Sequence, residues 1–183
     1  MTSGLDPVFG VLARLSIALL FVAAARHKRA DPLRFEGIVA DYRLAPAGWS
    51  FGIARGLVLL EIGLVLGLGC SFFVPALSSI VSLAAATVLA GYAVAIGVNL
   101  ARGRREIECG CGGPGEFLRP RLLLRNAVLI GVCLVGATPT TGRLLGALDL
   151  VTVVGGTFVL ALLWEAGGRL AQVADGVAEE GAG

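Results

Sequence analysis

Two cysteines separated by one glycine stand in the segment Glu108-Cys109-Gly110-Cys111-Gly112-Gly113-Pro114, the one glycine-rich, cysteine-bearing stretch of the chain. Thiols at this spacing, on a backbone that glycine leaves free to bend, can cycle between a dithiol and a disulfide. A disulfide across one residue closes a small ring, and strained disulfides are the labile, oxidising ones. Arg102, Arg104, Arg105 and Arg119 are near in sequence and would favour the thiolate, the reactive form. The same pair can supply half of a zinc site, but zinc takes about four N, S or carboxylate ligands. The sole histidine, His27, belongs to another loop. No metal site and no cofactor is therefore expected. A tight glycine turn carrying structural cysteines is the alternative. The charge of residues 102–125 argues for a loop at a membrane surface, not for a core.

The elements that must hold this loop are apolar. The chain has 183 residues, of which 56% are hydrophobic and 15% charged, against about 25% charged in soluble domains. The apolar residues come in blocks long enough to cross a bilayer. They predict an all-α, polytopic membrane helix bundle with spans near 8–25, 51–69, 75–100, 122–138 and 145–164. Five spans are expected, four being the alternative. Residues 1–165 form one transmembrane domain, and 166–183 a flexible C-terminal tail. The net charge of +2 is concentrated in membrane-flanking loops, which points to the lipid bilayer as surroundings and to no nucleic acid.

Between the first two spans, Asp31-Pro32 is a helix-opening pair. Leu33, Phe35, Ile38, Val39, Tyr42 and Leu44 then fall mostly on one face, predicting a short amphipathic helix at the interface. Glu61 lies inside the second span, where an ionisable side chain is costly and implies a partner and a role. Lys28, Arg14 and Arg55 are the candidates. Gly63, Gly67 and Gly69 offer a small-residue packing face. Cys70 and Cys133 read as small apolar packing residues. The cluster Arg26-His27-Lys28-Arg29 follows the first span instead of preceding it, the charge layout of a reverse-oriented anchor and not of a cleaved signal. Five Lys/Arg in residues 26–49 and six in residues 102–125 put both loops on the cytoplasmic side and the N-terminus outside.

Taken in order, Lys28, Asp31-Pro32, Phe35, Tyr42, Leu44, Pro46, Glu61, Arg102-Gly103 and Cys109-Gly110-Cys111-Gly112 resemble the methylamine-utilisation MauE family, within the DoxX-like membrane proteins. A glycine stands where the family's cysteine motif commonly carries an aromatic. The resemblance implies a multi-pass protein of the bacterial inner membrane. It also implies support for the maturation of exported disulfide-containing proteins beside a thioredoxin-like partner. The small subunit of methylamine dehydrogenase is such a client in methylotrophs. The expected function is thus a membrane thiol–disulfide redox component, enzymatically a thiol–disulfide oxidoreductase. Cys109 and Cys111 would be the redox pair, with Glu61, Lys28 and Arg102 supporting them. A non-enzymatic membrane scaffold or carrier subunit, and a quinone-linked DoxX-type oxidoreductase subunit, are the alternatives.

Overall fold

Asp–Pro pairs open the first two helices. Asp6 accepts a hydrogen bond from the Val8 amide at 3.0 Å and Pro7 fills the first helical position. Asp31 does the same for the Arg34 amide at 3.0 Å, followed by Pro32. Both arrangements satisfy amides that have no intrahelical acceptor. The computed structural model describes residues 4–46, 48–110 and 116–180. Its helices are α1 (Pro7–Ala30), α2 (Pro32–Asp41), α3 (Ser50–Cys70), α4 (Leu77–Ala101), α5 (Arg121–Ala137) and α6 (Ala147–Glu180).

The protein is a polytopic helical bundle. Among the described residues, four helices are long and apolar enough to cross a membrane: α1, α3, α4 and the Ala147–Leu170 part of α6. α5 has 17 residues, about 26 Å at 1.5 Å per residue, and starts with Arg121 and Arg125. It is the expected fourth segment, short of the usual span of about 20 residues. α6 runs to Glu180 over 34 residues. The backbone of residues 166–180 is therefore helical where the sequence suggests a loose tail.

α1, α3, α4 and α5 share one core, in which Ile17, Phe21, Leu64, Leu68, Ala85, Leu89, Leu129 and Cys133 are buried together. Of the glycines read as a packing face, Gly67 alone makes a close approach: a Cβ there would sit 3.0 Å from Val81 Cγ1, whereas Gly63 and Gly69 face open space. Gly136 does comparable work on α5, where a Cβ would meet Ser82 Oγ at 3.1 Å and Arg14 Cγ at 3.2 Å. Ser79 Oγ donates to the Ala137 carbonyl at 2.7 Å, tying the start of α4 to the end of α5.

The two ends differ in chemistry. At one, Arg143 bridges Asp6 and Asp149 with N–O distances of 2.9 and 2.6 Å, joining the starts of α1 and α6. The guanidinium holds the Asp6 carboxyl below its ordinary value. At the other end lie α2, the basic residues closing α1 and the cysteine loop. A row of exposed apolar side chains along α6, among them Leu148, Val151, Phe158 and Leu162, is the surface a bilayer covers.

Candidate functional site

The cysteine loop is built as a hairpin. Glu108 and Phe117 form an antiparallel bridge. The Cys109 amide donates to the Glu116 carbonyl at 2.7 Å, and the Leu118 amide to the Ile107 carbonyl at 2.9 Å. Gly110 has φ +72°, the left-handed region that a side chain disfavours. Cys111 lies outside the described residues.

Cys109 is not a surface residue. It is 5% exposed and packs with Ile96, Ile107, Leu118 and Leu122. This corrects the reading of residues 102–125 as a charged loop that excludes a core. The stem buries Ile107, Cys109 and Leu118 and leaves Phe117 exposed, while Arg102, Arg104 and Arg125 near it reach specific acceptors.

α2 covers the hairpin through three kinds of contact. Arg34 grips Glu108 with Nη2 at 2.6 Å and Nε at 3.2 Å from the carboxylate oxygens, and these hydrogen bonds, with the Glu108 charge behind them, push the already high Arg34 value further up. Phe35 and Ile38 close over Gly110, where an added Cβ would lie 3.1 Å from Ile38 Cγ2 and 3.3 Å from Phe35 Cε2. Just past α2, the Tyr42 hydroxyl donates to the Cys109 carbonyl at 3.1 Å. The amphipathic helix is present as expected, and its apolar face serves the cysteine hairpin as well as α3.

The cation at the sulfur comes from α5. Arg125 Nη2 lies 3.9 Å from Cys109 Sγ, while Nη1 bonds Glu116 Oε1 at 2.7 Å. Its guanidinium also stacks 5.5 Å from the Trp164 ring centroid of α6. Arg102 and Arg104 have other tasks. Arg102 Nη1 donates to the Arg43 carbonyl at 3.4 Å, and Arg104 Nη1 to Asn99 Oδ1 at 3.1 Å and the Tyr42 carbonyl at 3.5 Å. Both fasten the end of α4 to the chain leaving α2. Arg125 is absent from the sequence-derived site because it opens a predicted span; one turn of helix brings it under the hairpin.

Glu61 finds its partner in Lys28. The two form a buried ion pair, with side-chain exposures of 2% and 0%. The Tyr92 hydroxyl donates to Glu61 Oε1 at 2.7 Å, and the Lys28 ammonium lies 5.2 Å from the Phe35 ring centroid and 5.0 Å from that of Tyr92. A charged pair in an apolar bundle persists only with such additional partners. Phe35 touches both Lys28 and the space beside Gly110, so the ion pair and the hairpin share a wall. Arg14 is instead near Phe72, 5.6 Å from its ring, and Arg55 near Phe51, at 5.9 Å.

Cys133 sits in the central core, about 16 Å along α5 from Leu122 at 1.5 Å per residue. That is beyond direct exchange with Cys109, since bridged cysteines need Cα atoms within about 7 Å. Cys70 is exposed at the end of α3. Among the described residues no three His, Cys, Asp or Glu side chains gather as metal ligands.

Because Gly110 combines a left-handed backbone with contact to α2, Gly110→Ala is expected to cost about 1–2 kcal/mol from the backbone alone. The cost should appear as faster hydrogen exchange of the Cys109 and Leu118 amides, with α5 exchange unchanged.

The sequence profile described as "Methylamine utilisation protein MauE" matches residues 6–139. Curated proteins named methylamine utilization protein MauE are similar to the chain. The one from Paracoccus denitrificans is 37% identical over 68% of this chain and 66% of its own length. That from Methylophilus methylotrophus is 32% identical over 88% of this chain and 85% of its own. That from Paracoccus versutus is 34% identical over 87% and 85%. No solved structure matches the chain.

Proposed function

The chain belongs to the MauE family of methylamine utilisation proteins, and on that premise we propose that it is an integral membrane thiol–disulfide component. Cys109 and Cys111 are its redox pair, a thioredoxin-like protein is its partner, and an exported disulfide-containing protein is its client. The observation that carries this reading is the setting of Cys109: a buried sulfur with the Arg125 guanidinium 3.9 Å away, on a hairpin pinned by α2. A cation beside sulfur stabilises the thiolate that performs exchange. A lone structural cysteine needs no such neighbour.

The exchange balances as follows. The Cys111 thiolate attacks one sulfur of the partner's disulfide, forming a mixed disulfide and releasing the partner's other thiolate. Cys109 then attacks the Cys111 sulfur, closing the Cys109–Cys111 disulfide and freeing the partner as a dithiol. Two electrons and two protons pass from the pair to the partner. The reverse runs from an oxidised pair, and the two reduction potentials set the direction. Lys28, Glu61 and Arg102 are positioning residues: the ion pair supports Phe35 beneath the hairpin, and Arg102 secures the α4–α2 junction.

The membrane is the bacterial inner membrane, with the N-terminus outside and both basic loops cytoplasmic, so the hairpin exchanges with its thioredoxin-like partner on the cytoplasmic side and acts on the exported client indirectly. The Arg34–Glu108 contact supports a common side for the two loops. The test is the Cys109→Ser/Cys111→Ser protein at unchanged membrane abundance. Client molecules with complete disulfides are expected to disappear. Retained maturation would remove the redox reading and leave a scaffold or carrier subunit. In parallel, a membrane-permeant maleimide is expected to label the reduced hairpin in intact cells where an impermeant one does not.

A further inference from the structure

α1 and α3 are antiparallel neighbours, and the Lys28–Glu61 pair fixes their register. Glu61 lies three turns into α3, so α3 continues about 16 Å beyond the level of Lys28 at 1.5 Å per residue. The basic end of α1 is thus set well inside the length of its neighbour. Lys28 turns inward to Glu61, while Arg26 and Arg29 turn outward, exposed and with no hydrogen-bond or ion-pair partner among the described residues.

These two guanidinium groups border a groove of about 370 Å³ between α1 and α3, walled by Val22, Ile62, Val65 and Leu66. Leu59, Leu60 and Leu66 carry the exposed surface of α3 at this level, so the groove opens onto what the bilayer covers. An uncompensated cation beside such a surface is costly, and a guanidinium takes a phosphate through paired N–H donors. We propose that this groove is a binding site for one anionic phospholipid of the phosphatidylglycerol class. Its phosphate meets Arg26 and Arg29, and an acyl chain lies along Val22, Ile62, Val65 and Leu66. The charge chooses an anionic head over a zwitterionic one. The four apolar wall residues choose a lipid over free phosphate, which leaves them wet. The ion pair inside and the lipid outside would then hold the same α1–α3 seam. The site does not depend on the thiol chemistry.

The test uses the full chain purified in a neutral detergent and re-exposed to equal amounts of dioleoyl phosphatidylglycerol and dioleoyl phosphatidylcholine, with retained lipid read by native mass spectrometry. The wild type is expected to keep one phosphatidylglycerol in roughly thirtyfold preference, at about fivefold per basic side chain near an anionic head. Arg26→Gln/Arg29→Gln should remove the preference. Leu66→Trp, which fills the groove and leaves both arginines, should remove retention. The wild-type comparison needs no variant to fold. Equal retention of the two lipids overturns the proposal. So does an undiminished preference in the double variant, or unchanged retention in Leu66→Trp. Thermal stabilisation by inorganic phosphate equal to that by phosphatidylglycerol would assign the arginines to a free anion instead. A change of oligomeric state on groove filling, with lipid unchanged, would assign the groove to a second copy; either result defeats the lipid site.

Discussion

A Cys109→Ser protein is expected to accumulate a mixed disulfide with its thioredoxin-fold partner, and a Cys111→Ser protein to form almost none. Cys109 is 5% exposed, its amide is held by Glu116, its carbonyl by Tyr42, and α2 lies across the adjoining Gly110. A partner's sulfur cannot reach it in line without displacing α2. Exchange with another protein therefore falls to Cys111, and Cys109 resolves the adduct. Removing the resolving thiol traps the intermediate; removing the exchanging thiol prevents it. The trapped species should differ by roughly tenfold or more, since access governs exchange, on non-reducing gels of membranes quenched with acid. The opposite pattern would mean that α2 lifts before exchange and that Cys109 is the thiol attacked.

Lys28→Met and Glu61→Gln are each expected to destabilise the purified protein by about 3–5 kcal/mol, because either leaves an uncompensated buried partner. The double variant Lys28→Met/Glu61→Leu is expected to recover most of that loss. Denaturant unfolding in mild detergent, followed by tryptophan fluorescence, measures all three. The single variants should also speed alkylation of reduced Cys109, because Phe35 packs on Lys28 and helps close the hairpin. Single variants within about 1 kcal/mol of the wild type, the range of ordinary substitutions, would show that the pair does not hold the bundle. Rescue of stability without rescue of the slow alkylation would separate the charge from the packing it supports.

The helices were legible because lipid enforces long apolar runs, and the start of α2 because Asp31-Pro32 is a local signal. The Lys28–Glu61 pair was legible because a buried carboxylate must find a cation, and few were available. What escaped depends on contacts distant in sequence. Arg34 and Glu108 are 74 residues apart, and no periodicity announces that α2 will sit on the cysteine hairpin instead of lying on the membrane alone. Arg125 read as a flanking charge of α5, because its role comes from the hairpin turning back over it. The burial of Cys109 was hidden for the same reason: its neighbours Ile96 and Leu122 come from two helices, while the residues that precede it in sequence are mostly charged. Residues 166–180 carried too many small and acidic residues to announce a helix, yet α6 continues through them.

The oxidation state of the Cys109–Cys111 pair in the native membrane decides between a redox pair and a structural turn. Cells are quenched with acid, denatured, alkylated before and after reduction, and the chain is weighed by mass spectrometry. Denaturation removes the effect of Cys109 burial, and Cys70 and Cys133 serve as internal references. A redox pair gives a population in which Cys109 and Cys111 resist alkylation together, become labelled together after reduction, and shift in proportion when the cells meet an oxidant or a reductant. Four cysteines alkylated without reduction, and unmoved by either treatment, would contradict the thiol–disulfide function.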